Sequence, residues 1–132
     1  MGSRGTYASP QRYTKEEYET IGHIYGVKIV QGKGKVHDEP EYSKTSDIYV
    51  FQNRDGSFKS LRVYDEKTKR VKLEIAYHIE PSINKGNRKD KVLHYHEYTN
   101  EFYRQPARNL SNRPDLIKKY SHLWDGFKNE KW

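Results

Sequence analysis

Apolar and polar residues alternate along the middle of the chain in the pattern of antiparallel strands that bury one side. In "RVKLEIAYHI", within residues 70–80, one face would carry Val71, Leu73, Ile75, Tyr77 and Ile79, and the other Lys72, Glu74, Ala76 and His78. The segments "DIYVFQN", "FKSLRVYD" and "KVLHYHEY" predict further strands, and the Asp55–Gly56 pair between the first two is a strong hairpin signal. The middle of the chain therefore predicts an antiparallel meander.

The two ends of the chain predict helices. "TKEE", beginning at Thr14, is a capping-box sequence, and Tyr18, Ile21 and Tyr25 would share one face of a helix over residues 14–24 that ends at Gly26. "VKIV" predicts a short strand after it. In "NRPDLIKKYSHLW", Pro114 suits a first-turn position of a helix. That helix carries an apolar stripe expected to pack on the sheet: Leu116, Ile117, Tyr120, Leu123 and Trp124.

Together these elements predict an α+β fold, with an N-terminal helix, an antiparallel sheet of about four strands, and a C-terminal helix packed on the sheet. Residues 1–12 are small and polar without periodicity, which indicates a tag and linker. Residues 13–132 would form a single α+β domain, because 132 residues is an ordinary length for one domain. The chain is expected to be a monomer.

Composition and charge narrow the classes of function. The chain has no cysteine, which excludes a disulfide, a thiolate nucleophile and a cysteine-ligated zinc site. No apolar run approaches the roughly 20 residues of a membrane span, so a membrane partner is not expected. The net charge is +7, and residues 81–132 hold 11 basic and 6 acidic residues. A basic surface of this kind favours a polyanionic partner, of which RNA is our first expectation.

The segment "VLHYHEY" places two histidines one residue apart on a strand, so that His94 and His96 would point to the same face. If this strand pairs with residues 70–80 through a symmetric loop, His78 would lie near His94, Ala76 near His96, and Glu74 diagonal to His96. The face is expected to be open to solvent. With the neighbouring strand it would carry Arg62, Tyr64, Lys72, Glu74, His78, His94, His96 and Tyr98.

This set of side chains suits RNA cleavage through attack by the 2′-hydroxyl, which needs a base, an acid and cations near the phosphate. Imidazoles titrate near neutral pH and suit proton transfer, and an arginine fork suits phosphate. The predicted catalytic residues are His94, His96, His78, Glu74 and Arg62, with no metal and no cofactor. The predicted nucleic-acid-binding residues are Lys72, Tyr64, Tyr98, Arg104, Arg108, Lys85, Arg88 and Lys89.

Other interpretations of the same residues remain open. His78, His94 and His96 also match a zinc site with three imidazoles and an open position for water, as in a metal-dependent hydrolase. The basic charge alone would suit a non-catalytic module that binds RNA or DNA. The histidines could also be incidental on a solvated sheet face. Cleavage of RNA that survives a chelator would favour the metal-independent ribonuclease.

Three stretches of the chain resemble a known class of domain. "IGHIYGVKIV", "DIYVFQNRDGSFKSLRVYDEKTKRVKLEIAYHI" and "LHYHEY" are similar to C-terminal toxin-type ribonuclease domains of bacterial polymorphic toxins and phage head-morphogenesis proteins, many of them assigned to the barnase–EndoU–colicin–RelE class. The positions that match are Tyr25–Gly26, Asp55–Gly56, Arg62, Tyr64–Asp65, His78, His94 and His96. The turn before the last strand departs from that class, with "HIEPSINKGNRKD" where related domains often have a His-Gly-Asn-Pro turn.

The resemblance implies an α+β fold with a leading helix and a metal-independent ribonuclease activity. A toxin of this kind would act in the cytoplasm of a target cell, although the sequence leaves the localisation of this chain unknown. An immunity or inhibitor protein, if one exists, would be expected to present an acidic surface to the basic one.

Overall fold

The computed structural model describes residues 18–32, 47–101 and 103–127, and the main element of this part of the chain is one seven-stranded sheet. The strands follow one another across the sheet in chain order. They are β1 (Tyr18–Ile24), β2 (Val27–Gly32), β3 (Ile48–Gln52), β4 (Phe58–Tyr64), β5 (Val71–Ile79), β6 (Lys91–Glu97) and β7 (Arg108–Asn109). A short helix, α1 (Pro114–Tyr120), follows the last strand, and 3₁₀ turns lie at Pro81–Ile83, Leu110–Asn112 and Ser121–Leu123.

The prediction of an N-terminal helix is wrong for the described part of that segment. Tyr18–Ile24 is a strand that pairs antiparallel with β2, and residues 14–17 lie outside the described ranges. The two strands are joined at Tyr25 and Gly26, whose φ angles of 49° and 81° are both positive. Two consecutive positive φ angles are the mark of a tight hairpin turn whose twist matches the flanking strands. Gly26 therefore turns a hairpin instead of ending a helix.

The prediction of an antiparallel sheet of about four strands is also wrong. The sheet has seven strands in the described ranges, and it is mixed because β2 pairs with β3 in parallel while the other neighbours are antiparallel. The sequence of β3, "IYVFQ", is a nearly continuous apolar run with three buried residues. Such a run is typical of a strand covered on both faces, and it marks β3 as an inner strand of a wider sheet.

One face of the sheet packs against the C-terminal elements, as predicted, and we call it the helix face. Leu116 and Tyr120 of α1, with Leu123 and Trp124 after it, join the buried cluster that contains Leu61 and other apolar residues of the sheet. Ile117 is the exception in the predicted stripe, because it stays exposed. Among the described residues, no helix has the length and apolar character needed to cross a membrane.

The opposite face of the sheet, which we call the second face, is buried as well. A bulge between β4 and β5 pairs Val63 with Leu73 but Tyr64 with Val71. Val71, predicted to share the helix face with Leu73, therefore belongs to a separate apolar cluster with Tyr64. The other members of that cluster are Val30, Tyr49 and Phe51. Ile79, predicted on the buried side, is exposed at the end of β5.

Candidate functional site

The second face carries a group of charged and polar side chains beside its apolar cluster. Arg62 of β4 pairs across strands with Glu74 of β5, and Glu74 pairs with His96 of β6. His94 lies next to His96, with 5.3 Å between the ring centroids, and His78 is 6.0 Å from His94. Two groups from adjoining segments complete what we call the polar cluster, which consists of Arg62, Glu74, His78, Glu80, His94, His96 and Arg104.

The pairing of β5 with β6 is shifted by two residues along β6 from the predicted register. Glu74 lies opposite His96, Ala76 opposite His94, and His78 opposite Val92. The structure pairs Ile79 with Lys91 at the mouth of the loop, which centres the loop one residue earlier than the predicted pairing of His78 with His94. The prediction that Arg62, Glu74, His78, His94 and His96 come together is nevertheless confirmed, because the strand pleat fixes which residues share a face.

The prediction that this face is open to solvent is wrong. His94 is 0% exposed, Glu74 1%, His96 6% and Arg62 8%. Two features of the described chain account for part of this burial. Strands β2 and β3 extend the face with an apolar cluster, and the segment after β6 brings Arg104 and Gln105 against the polar side chains. The reactive groups predicted on a surface therefore lie in the interior.

Glu74 holds the centre of the polar cluster through two arginines. Its Oε2 accepts from Nε of Arg62 at 3.2 Å, and its Oε1 accepts from Nη2 of Arg104 at 2.9 Å. A buried carboxylate is tolerated when it is paired and hydrogen-bonded in this way. The contacts bind the carboxylate in its charged form and favour a positioning role for Glu74 over a role as a free base.

The two histidines of β6 have the same tautomer and the same unsatisfied atom. Nδ1 of His94 lies 2.8 Å from the carbonyl oxygen of Val92, and Nδ1 of His96 lies 2.8 Å from the carbonyl oxygen of Gln105. A carbonyl oxygen only accepts, so each Nδ1 carries a hydrogen, and a ring with that single hydrogen has its lone pair on Nε2. Both Nε2 atoms are buried and have no hydrogen-bond partner among the described residues.

Glu80 is a member of the polar cluster that the sequence reasoning missed. Its Oε2 lies 3.9 Å from Nε2 of His94, and its side chain is 28% exposed. The signal was present, because the outward positions of β5 run through Glu74, Ala76 and His78, and one further step of two residues reaches Glu80. The following Pro81 begins a 3₁₀ turn and ends the strand at this point.

Burial sets the protonation of the imidazoles. Desolvation lowers the pKa of His78 to about 4, although the Glu74 carboxylate opposes this shift. Desolvation also lowers the pKa of His94, against the hydrogen bond to Val92 and the charges of Glu80 and Glu74. Both rings are therefore neutral at pH 7, and their free nitrogens act as acceptors or ligands in that state.

The residues predicted to bind nucleic acid fall into two groups. Tyr64 is buried in the apolar cluster of the second face, which prevents it from stacking on a base, and Tyr98 is partly buried beside that cluster. Arg104 contacts Glu74 while half of its side chain remains exposed. The remaining residues of this set are all exposed, and they are Lys72, Lys85, Arg88, Lys89 and Arg108.

Comparisons of the chain with protein-family models, with curated proteins and with solved structures found no match. The resemblance to toxin-type ribonucleases therefore stays a prediction. The support for a function comes from the chemistry of the polar cluster and from the charge around it.

Proposed function

We propose that this protein cleaves RNA, with the polar cluster as its reactive site. The observation that carries the proposal is the pair of buried Nε2 atoms on His94 and His96, which have no hydrogen-bond partner among the described residues. A buried polar group without a partner costs about 1–3 kcal/mol of stability. Packing gives no reason to keep two such atoms side by side, whereas contact with a ligand or a reacting group does.

The polar cluster has an edge at which a phosphodiester would reach it. The side chain of Arg104 is 51% exposed and that of Glu80 is 28% exposed. His78 is half-buried beside His94 and lies on the same strand as Glu74. A phosphate at this edge would contact the guanidinium of Arg104, whose planar fork matches phosphate oxygens.

The protonation states assign roles to these groups. A neutral imidazole accepts a proton, so His78 would serve as the base that activates the 2′-hydroxyl for attack on the adjacent phosphorus. The lowered pKa of His78 and of His94 leaves neither ring as a protonated acid at pH 7. As the bond from phosphorus to the 5′-oxygen breaks, the leaving oxygen would take a proton from water or from the imidazolium formed in the attack, while the Arg104 guanidinium would offset the charge that develops on the phosphate.

The distribution of charge favours a nucleic acid over a small substrate. Lys85, Arg88 and Lys89 are exposed in the loop between β5 and β6, which begins at Glu80. The Asn87 side chain orders this loop, because its Oδ1 accepts from the backbone N–H groups of Lys89 and Asp90 at 2.8 Å each. A polyanion bound at the edge of the polar cluster would extend along this loop.

The test compares a labelled RNA oligonucleotide with a matched strand that carries 2′-deoxyribose at every position. We expect the full chain to cleave the RNA and to leave the deoxy strand intact, since the attacking hydroxyl is missing there. His78→Gln should lower the rate by about 10²–10⁴-fold, while the exposed His122→Gln should leave it unchanged. Binding without cleavage of the RNA would overturn the proposal in favour of a non-catalytic module.

A further inference from the structure

The geometry points to a divalent transition-metal site formed by Glu80, His94 and His96. We infer that Nε2 of His94, Nε2 of His96 and one carboxylate oxygen of Glu80 bind a single ion of the zinc class. One possible ligand atom from each of these three residues lies within 4.8 Å of the other two, and both Nε2 atoms are the ring nitrogens without a hydrogen-bond partner among the described residues. The site differs from the three-histidine zinc site that the sequence suggests, because its third ligand is Glu80 in place of His78.

The hydrogen bonds behind the two imidazoles are those that a metal site requires. A metal-binding histidine almost always donates its other ring N–H to a carboxylate or a backbone carbonyl, which fixes the tautomer and orients the ring. Both rings do this through Nδ1, to the carbonyls of Val92 and Gln105 at 2.8 Å. Both Nε2 atoms are thereby held in the interior, and the Glu80 carboxylate approaches that of His94.

The spacing of the ligand atoms fits binding with a small movement of one side chain. Two ligands about 2.1 Å from a tetrahedral ion are about 3.4 Å apart. Oε2 of Glu80 is 3.9 Å from Nε2 of His94, slightly farther than that. Glu80 is the partly exposed member and follows the last residue of β5, so a change in its side-chain torsions would close the site around an ion.

The donor set also decides the class of ion. Two imidazole nitrogens and one carboxylate oxygen suit zinc and other first-row divalent ions, whereas magnesium and calcium prefer oxygen ligands throughout. The nearby arginines do not oppose a cation as strongly as their number suggests. Arg62 and Arg104 both contact the carboxylate of Glu74, which offsets part of their charge.

The first experiment measures metal binding by the full chain without RNA. The protein is stripped with a chelator, dialysed, and titrated with Zn²⁺ in a calorimeter. We expect one ion per chain, bound at least about 100-fold more tightly than Mg²⁺ under the same conditions. Absence of zinc binding, or equal affinity for the two ions, would overturn the inference.

A substitution then assigns the site. Glu80→Gln keeps the size of the side chain but removes its negative charge. Loss of a residue that only hydrogen-bonds to a metal ligand weakens metal binding by about 10–100-fold, so loss of the Glu80 ligand should weaken zinc binding by at least about 10-fold. Glu66→Gln, at an exposed position in the β4–β5 turn, is the matched control and should not change the affinity. Equal zinc affinity in wild type and Glu80→Gln would place the ion elsewhere.

NMR of the wild-type imidazoles avoids the risk that a buried histidine variant fails to fold. Zinc should shift the Nε2 resonances of His94 and His96 and leave both Nδ1–H groups protonated, while exposed His23 and His122 stay unchanged. Shifts at His23 or His122 without shifts at His94 and His96 would contradict the assignment. The metal site does not rest on RNA cleavage, so a protein that binds zinc but leaves RNA intact would sink the proposed function alone.

Discussion

At the scale of single residues, the polar cluster contains two kinds of buried group. One is a carboxylate paired with arginines, and the other is a pair of imidazole nitrogens that make no hydrogen bond within the described residues. The Glu74 carboxylate is bound by Arg62 and Arg104, so its burial is supported by opposite charge. The Nε2 atoms of His94 and His96, in contrast, make no hydrogen bond within the described residues. The first arrangement stabilises the fold, whereas the second reserves two lone pairs for something that binds there.

The contribution of Glu74 to stability can be measured against a matched surface pair. Glu74→Gln should lower the free energy of unfolding by about 3–5 kcal/mol, because it removes the carboxylate that the buried guanidinium of Arg62 contacts. Glu97→Gln makes the same change in a pair with Arg113 at the surface, and should cost about 0–1 kcal/mol. Urea denaturation followed by circular dichroism gives both values. Equal losses would mean that burial of the Glu74 pair does not matter.

The buried imidazoles predict how stability responds to acid in the metal-free protein. The pKa of His78 is lowered to about 4 in the folded state, and an unfolded histidine titrates near 6.5. The unfolded chain binds more protons between these values, so stability is fully present above about pH 6.5 and is lost as the pH falls toward 4. Thermal melting with a chelator from pH 7 to 4.5 should show this decline, which the lowered pKa of His94 reinforces.

Two histidine variants separate this effect from general acid sensitivity. His78→Gln should reduce the decline in melting temperature, because one of the buried titrating groups is gone. His122→Gln should leave the decline unchanged, since that ring is exposed. A melting temperature that is constant over this range in the wild type would refute the assignment of neutral buried imidazoles.

At the scale of elements, the sequence predicts where strands occur better than it predicts which strands pair with one another. The strands β4, β5 and β6 and the Pro114 start of α1 are predicted from local patterns, and the structure confirms these elements, although not the predicted open face of the strands. The predicted N-terminal helix failed because Tyr18, Ile21 and Tyr25 fit a helical spacing by coincidence, while pairing with β2 decides the conformation of Tyr18–Ile24. Pairing between distant strands leaves no local pattern, so the seven-stranded width was missed.

The candidate site likewise has features that the sequence could predict and features that it could not. Its membership could be predicted, because alternation along one strand fixes the faces of Glu74, His94 and His96. Its register and burial could not be predicted, because they depend on the loop after β5 and on strands β2 and β3, which supply Val30, Tyr49 and Phe51 to the apolar cluster of the second face. Glu80 could have been found by continuing the alternation of β5 by one step.

The β1–β2 turn gives a test at this scale. Gly26 has a φ of 81°, in the region where a Cβ atom is strained, so Gly26→Ala should lower the free energy of unfolding by about 1–2 kcal/mol. A Cβ atom added at Gly126 would meet open space, and the φ of Gly126 is not positive, so Gly126→Ala should cost little or nothing. Denaturant midpoints of the two variants decide the matter. An unaffected Gly26→Ala protein would argue against the hairpin.

The packing of the C-terminal segment on the helix face gives a second test. Leu123 is fully buried in the main core, so Leu123→Ala should lower the free energy of unfolding by about 2–5 kcal/mol. Ile117 is exposed on α1, and Ile117→Ala should change it by no more than about 0.5 kcal/mol. If both variants unfolded at the same denaturant concentration, the segment would not be packed on the sheet as described.

At the scale of the whole molecule, the excess positive charge lies in the same part of the chain as the polar cluster edge. Residues 81–132 hold 11 basic and 6 acidic residues, and the loop that begins at Glu80 presents Lys85, Arg88 and Lys89 to solvent. Lysine and arginine contacts to phosphate release counterions from nucleic acid, which makes affinity fall as salt rises. We therefore expect RNA to bind at this edge through phosphate contacts to these three side chains, and the affinity to fall as salt rises.

The position of that charge can be separated from its amount. Replacing Lys85, Arg88 and Lys89 together by Ala should weaken binding of single-stranded RNA across sequences and reduce the slope of log affinity against log salt by about 2, because each lost phosphate contact removes about 0.7. Replacing Lys67, Lys118 and Lys119, which are exposed elsewhere, removes the same charge and should leave the slope nearly unchanged. Fluorescence anisotropy over a series of salt concentrations measures both. Equal slopes for the two triple variants would show that RNA affinity depends only on the net charge of the protein. A wild-type affinity that does not change with salt would exclude a phosphate-driven interaction at this loop.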